Sequence, residues 1–246
     1  MFINGAIQKN SYLLMEGNSM SATKKFSDRL FENVKPIWDK NHQHPFVQEL
    51  GKGTLAEEKF IHYMKQDYVY LIDYSKLFAV GVQKALDLEM MTNFSKTLHD
   101  TLHFEMDLHR AFAAEFGITK EELEDTKPTP TNLAYTRYML NVAQNGSLVE
   151  LVSCLLPCAW DYWEIGKLLR AQYGENLATN KYAKWIETYD SEEFAEGAKW
   201  LIQLMDQLTE GKPEWELAII EEHFQMTSKF EYLFWEMNYK QEEWPI

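Results

Sequence analysis

The sequence predicts an all-α protein, a single helical bundle, and three observations carry that expectation. From Phe26 onward the turn signals fall at the ends of helical stretches, with few alternating β-branched runs between them. Capping-box sequences stand where two of the long stretches begin. The connections are short, and there is neither a Ser/Gly linker nor a repeat at solenoid spacing, so one domain accounts for the chain.

Taken in order, Thr54-Leu55-Ala56-Glu57 reads as a capping box that opens a long helix to about Leu86. Gly117 followed by Thr119-Lys120-Glu121-Glu122 marks a stop and a restart. The KPTPT stretch at 127–131 is expected to be a stiff loop. Gly146 closes the next helix, and Ser147-Leu148-Val149-Glu150 opens another with a second capping box. Gly211-Lys212-Pro213 ends one helix and starts the last. About seven or eight helices result.

With 46% hydrophobic and 14% aromatic residues, a chain of 246 can fill a large core. A net charge of −14 disfavours nucleic acid as a partner, because phosphate binding needs clustered Lys and Arg. No apolar run reaches the roughly 18 to 20 residues that cross a bilayer, so no membrane partner is expected. The only cysteines, Cys154 and Cys158, lie four apart on one predicted helix, where a disulfide does not fit, and the expected compartment is the cytoplasm. Residues 1–19 lack the features of a secretory signal and any periodicity linking them to the first helix. They are expected to be a vector-derived or disordered extension before a helical domain at 20–246.

Polar residues interrupt three of the apolar stripes. The helix from 54 steps through Phe60, Tyr63 or Met64, Asp67, Tyr70 or Leu71, Tyr74, Leu77 or Phe78 and Gly81, which turns Asp67 inward. The last helix steps through Leu217, Ile220, Phe224, Ser228, Glu231, Phe234 or Trp235 and Asn238, which does the same for Glu231. The helix from 147 carries Cys154 or Leu155, Cys158, Tyr162 and Ile165, with Pro157 expected to kink it beside the thiol. Each residue alone fits a structural role. Together they suggest a shared pocket, since a buried carboxyl carries a perturbed pKa suited to acid–base work. Tyr70, Tyr135, Tyr162, Tyr189 and Phe234 would wall that pocket, offering flat faces and donor tips to a planar heteroaromatic ligand.

Other chemistry is less well supported. His99, His103 and His109, with Asp100, Glu105 and Asp107, form an ionisable cluster. A four-helix dimetal site wants two Glu-x-x-His elements, however, and the chain has none, so no metal is expected. Nucleotide-cofactor glycine motifs and a Gly-x-Ser-x-Gly elbow are also lacking, and no cofactor is expected.

In order along the chain, HPFVQELGKGTL, QDYVYL, KPTPTNLAYT, LLPCAWDYWEIG, KYAKWIETY and FEYLFWEMNY resemble the motifs of the TenA family, the thiaminase II or aminopyrimidine aminohydrolase group. The resemblance implies a haem-oxygenase-like helical bundle without haem, assembled as a homotetramer. It implies hydrolysis of 4-amino-5-aminomethyl-2-methylpyrimidine to the hydroxymethyl compound and ammonia, a thiamin-salvage reaction, and hydrolysis of thiamin itself. It makes Cys158 the nucleophile, Glu231 the acid–base group and Asp67 the anchor of the ring amino group. Tyr70, Tyr135, Tyr162, Tyr189 and Phe234 then stack on or hydrogen-bond to the pyrimidine. Ala159 and Asp161 depart from the family pattern beside the nucleophile. The alternatives are a non-catalytic pyrimidine carrier or regulator and a dimetal oxidase on the same fold.

Overall fold

The computed structural model describes residues 24–246, so the expectation for residues 1–19 lies outside the described range. The described residues form helices α1 (Phe26–His42), α2 (Pro45–Lys52), α3 (Glu57–Lys84), α4 (Leu88–Asp100), α5 (Met106–Glu115), α6 (Lys120–Asp125), α7 (Pro130–Asn145), α8 (Leu148–Tyr173), α9 (Ala183–Tyr189), α10 (Glu192–Thr209) and α11 (Glu214–Lys240). A π-turn, Thr101–Glu105, joins α4 to α5, and a 3-10 turn, Gly174–Thr179, comes directly after α8. No strand occurs among the described residues.

Eleven α-helices replace the expected seven or eight because α2, α6 and α9 are short, at 8, 6 and 7 residues. Such lengths scarcely complete two turns, too few for periodicity to register. The box at Ser147–Glu150 forms as read, with reciprocal side-chain bonds, and the restart read at Thr119–Glu122 is also a capping box. Thr54 does not open α3. Gly53 ends α2 at φ 74°, a left-handed conformation that glycine adopts without strain, and the Thr54 hydroxyl donates back to the Glu49 carbonyl. The helix begins three residues later, with Ala56 at the cap and Glu57 and Glu58 complementing the dipole of the first turn. The KPTPT stretch is partly helical, since Thr129 caps α7 and Pro130 occupies its first turn.

The centre of the bundle is α8, which packs on α2, α3, α7, α9, α10 and α11. It runs from Leu148 to Tyr173 through Pro157. Helix α3 also lies against α4, α5, α7 and α11. Leu30, Val34 and Trp38 of α1 enter the same core, and the Trp38 indole donates to Ser228 Oγ of α11 at 3.2 Å. A Cβ on Gly166 would lie 2.5 Å from the Tyr189 carbonyl carbon and 2.7 Å from Asp190 N. Only a glycine therefore lets the end of α9 sit this close to α8.

Candidate active site

Because α3, α8 and α11 each bury one interrupted stripe, their polar residues meet. Asp67 on α3 and Glu231 on α11 are 6% and 1% exposed, whereas Cys158 on α8 is only half-buried. Tyr70, Tyr135, Tyr162 and Phe234 are all buried, and Tyr189 is half-buried.

The aromatic wall is continuous. Tyr70 packs on Tyr74, Tyr135 and Phe234, with ring centroids 5.4, 5.3 and 5.5 Å apart. Tyr162 packs on Tyr189 and Trp235, both at 5.0 Å. Tyr63, facing Phe234 at 6.2 Å and Trp235 at 5.9 Å, joins the two groups. Its hydroxyl accepts the Trp185 indole N–H at 3.1 Å. The Trp235 indole N–H is buried with no partner among the described residues.

The Tyr135 hydroxyl donates to Glu231 Oε1 at 2.5 Å. Burial raises the Glu231 pKa from 4.5 to about 8, against the stabilising pull of that hydrogen bond and with the further push of Asp161 and Asp67. Burial likewise raises Asp67 to about 8, with Glu105 adding to the rise and the Tyr63 hydroxyl opposing it. The Cys158 thiol is pushed well above its ordinary value by burial first and then by Glu231. Near neutrality the cluster therefore holds a neutral thiol and largely protonated carboxyls. Such groups can exchange protons with a bound base without creating isolated charge in a dry pocket.

Three residues beside this cluster, Tyr63, Trp185 and His109, receive no site role from the sequence. The His109 Nε2–H donates to the Met64 carbonyl at 2.8 Å, while Nδ1 faces Asp67 Oδ2 at 3.6 Å. Burial lowers the His109 pKa to about 4, so the ring is neutral and its second nitrogen can only accept. The ionisable cluster of which it is part is divided. His99 and His103 are exposed, with rings 4.4 Å apart, and His109 turns inward. Asp161 is fully buried but faces α1, accepting from Asn41 Nδ2 at 2.6 Å and pairing with His42 Nε2 at 2.8 Å. It ties α8 to the end of α1 outside the tyrosine cage.

The described residues define an all-helical protein in which a thiol, two buried carboxyls and a continuous group of tyrosines come together in the bundle core. The model of the TENA/THI-4/PQQC family matches residues 31–241, and the chain belongs to that family. It is 50% identical to the aminopyrimidine aminohydrolase of Halalkalibacterium halodurans, over 89% of this chain and 97% of that one. Among solved structures it resembles a TenA homologue from P. horikoshii OT3, with a TM-score of 0.80 and 32% identity over 88% of this chain and 99% of the other. A Shewanella denitrificans domain with a heme oxygenase-like fold shares the architecture, with a TM-score of 0.70 and 15% identity over 87% of this chain and 91% of that domain.

Proposed function

We propose that the protein is an aminopyrimidine aminohydrolase. It converts 4-amino-5-aminomethyl-2-methylpyrimidine and water to the 5-hydroxymethyl compound and ammonia, and it hydrolyses thiamin to the same pyrimidine and the thiazole alcohol. The observation that carries this reading is the convergence of Cys158, Glu231 and Asp67 within one tyrosine-walled cluster. The name of the Halalkalibacterium halodurans relative supports the substrate class.

In this scheme the pyrimidine lies between the rings of Tyr70, Tyr135, Tyr162, Tyr189 and Phe234, and Asp67 takes the ring amino group. The Cys158 thiol is too weak an acid to ionise unaided, so its proton passes to Glu231 as that carboxyl gives up its own and sulfur adds to the electron-poor ring carbon. Glu231 donates a proton to the ring nitrogen that accepts the displaced electron pair. Re-forming the ring double bond expels ammonia from the 5-methylene group and leaves an exocyclic methylene. Water adds there, and loss of the thiolate restores aromaticity. The thiolate recovers its proton, and Glu231 is reset for the next turnover.

A cytoplasmic homotetramer completes the reading. Exposed apolar side chains on α4, the π-turn and α5, including Leu88, Met91, Leu102, Phe104 and Leu108, provide surface for assembly. Among the described residues no helix is long and apolar enough to cross a membrane. The test is product analysis with purified protein and the aminomethylpyrimidine. One hydroxymethylpyrimidine and one ammonia per substrate consumed is the expected result, and substrate that binds but never turns over would replace the enzyme with a carrier.

A further inference from the structure

A third carboxyl beside the tyrosine cage has no part in the hydrolysis scheme. Glu105 closes the π-turn between α4 and α5, in which Leu102, His103 and Phe104 face outward while Thr101 is buried and Glu105 half-buried. A π-turn inserts a residue into the helical phase, a distortion that recurs at functional sites. His109 comes four residues after Glu105, and so about one turn along on the same face. As His109 lies against Met64 and Asp67, the Glu105 position also faces α3. Helix α4 connects to α3 through a short turn and doubles back along it. One turn before His109 is therefore one turn further along α3, from Asp67 towards Leu71 and Tyr74.

Electrostatics agree with that placement. The Glu105 carboxyl acts on Asp67, Tyr74, Cys158 and Tyr189, which belong to α3, α8 and α9. Burial raises its own pKa to about 7, with the Thr101 hydroxyl pulling the other way. Among the described residues it has no Lys, Arg or His partner within ion-pair distance. A carboxyl desolvated without a cation is unfavourable, and a cationic ligand relieves that penalty. The aminomethyl group of the substrate is a primary amine that is protonated near neutrality, whereas the hydroxymethyl product is neutral at the same position.

We propose that Glu105 is a substrate-contacting carboxylate that recognises the positive charge of the aminomethyl group, making the pocket selective for an ammonium-bearing pyrimidine over its neutral alcohol. This rests on the hydrolase reading and adds a basis for discrimination: the ion pair formed with substrate is lost when the ammonia leaves, which favours product release.

The test uses Glu105→Gln, which keeps shape and removes charge, and Glu105→Asp, which keeps charge on a shorter arm. KM is measured for the aminomethylpyrimidine, and the inhibition constant Ki for the hydroxymethylpyrimidine. Equilibrium binding of both compounds to the wild-type protein serves as reference. In Glu105→Gln, KM rises by about tenfold or more, the loss expected for a charge-assisted hydrogen bond, while Ki changes by no more than about twofold. Glu105→Asp recovers part of the ratio. Equal changes in KM and Ki would reveal a merely structural role and overturn the inference, as would no change in either. Wild-type protein that bound neither compound would overturn the hydrolase reading itself.

Discussion

Replacing Glu231 by Gln separates proton transfer from packing. Glutamine has nearly the same shape and can still accept the Tyr135 hydroxyl that now meets Glu231 at 2.5 Å, but it cannot deliver a proton. Removing a general acid–base group lowers kcat by about 10²-fold or more, which corresponds to about 2.7 kcal/mol of barrier. Substrate affinity changes far less. The same substitution raises stability in alkaline solution. Because the folded-state pKa is raised from 4.5 to about 8, the native protein retains here a proton that the unfolded chain has lost. The stabilising contribution is fully present below pH 4.5 and disappears as pH rises through about 8. At higher pH the native state carries a buried anion worth up to about 5 kcal/mol of instability, which Gln avoids. Steady-state kinetics, ligand binding and thermal melts at about pH 5 and pH 9 measure all three quantities. A Glu231→Gln protein that turned over normally but bound poorly would refute the acid–base assignment. A melting temperature lower than that of wild type at pH 9 would refute the pKa argument.

Cys158→Ala is expected to abolish turnover while retaining pyrimidine binding, and Cys154→Ala, one turn back and fully buried, to keep most activity. Parallel kinetic assays check this, and equal losses would make the pair structural. Asp67→Asn should act mainly on KM, raising it about fivefold with a smaller change in kcat, because the proposed role of its largely protonated carboxyl is to hold the ring amino group through a neutral hydrogen bond. Gly166→Ala sets two effects against each other: alanine improves helix propensity by about 1 kcal/mol, but its Cβ meets the backbone at Tyr189 and Asp190. Overpacking of this kind costs about 1–3 kcal/mol, so net destabilisation is expected, and KM should rise as Tyr189 shifts. Thermal melts and KM report the two consequences.

Helical periodicity revealed the inward stripes of α3 and α11 because each helix buries one face against the same core. Asp67, Tyr70 and Tyr74 are buried on α3, and Ser228, Glu231 and Asn238 on α11. Periodicity describes one helix at a time, so three interrupted stripes and the family motifs could suggest that Asp67, Cys158 and Glu231 share a site, but only tertiary packing brings them together. The π-turn hid Glu105 and His109. Once the phase breaks at Thr101–Glu105, residues that look like one polar cluster divide into an exposed His99–His103 pair and an inward His109. Thr54 shows a second limit, since a capping box describes sequence spacing, and the left-handed Gly53 commits Thr54 to the preceding turn.

The central claim is that Cys158 drives hydrolysis of an aminomethylpyrimidine held among the clustered tyrosines. Comparing kcat/KM for the aminomethylpyrimidine and for thiamin, in wild type and Cys158→Ala, tests it most directly. The account predicts a higher kcat/KM for the aminomethylpyrimidine, because a small aromatic cage admits an amine more readily than a second ring, and no turnover of either compound in the variant. A higher value for thiamin would contradict the salvage assignment, and activity retained in Cys158→Ala would contradict the covalent mechanism.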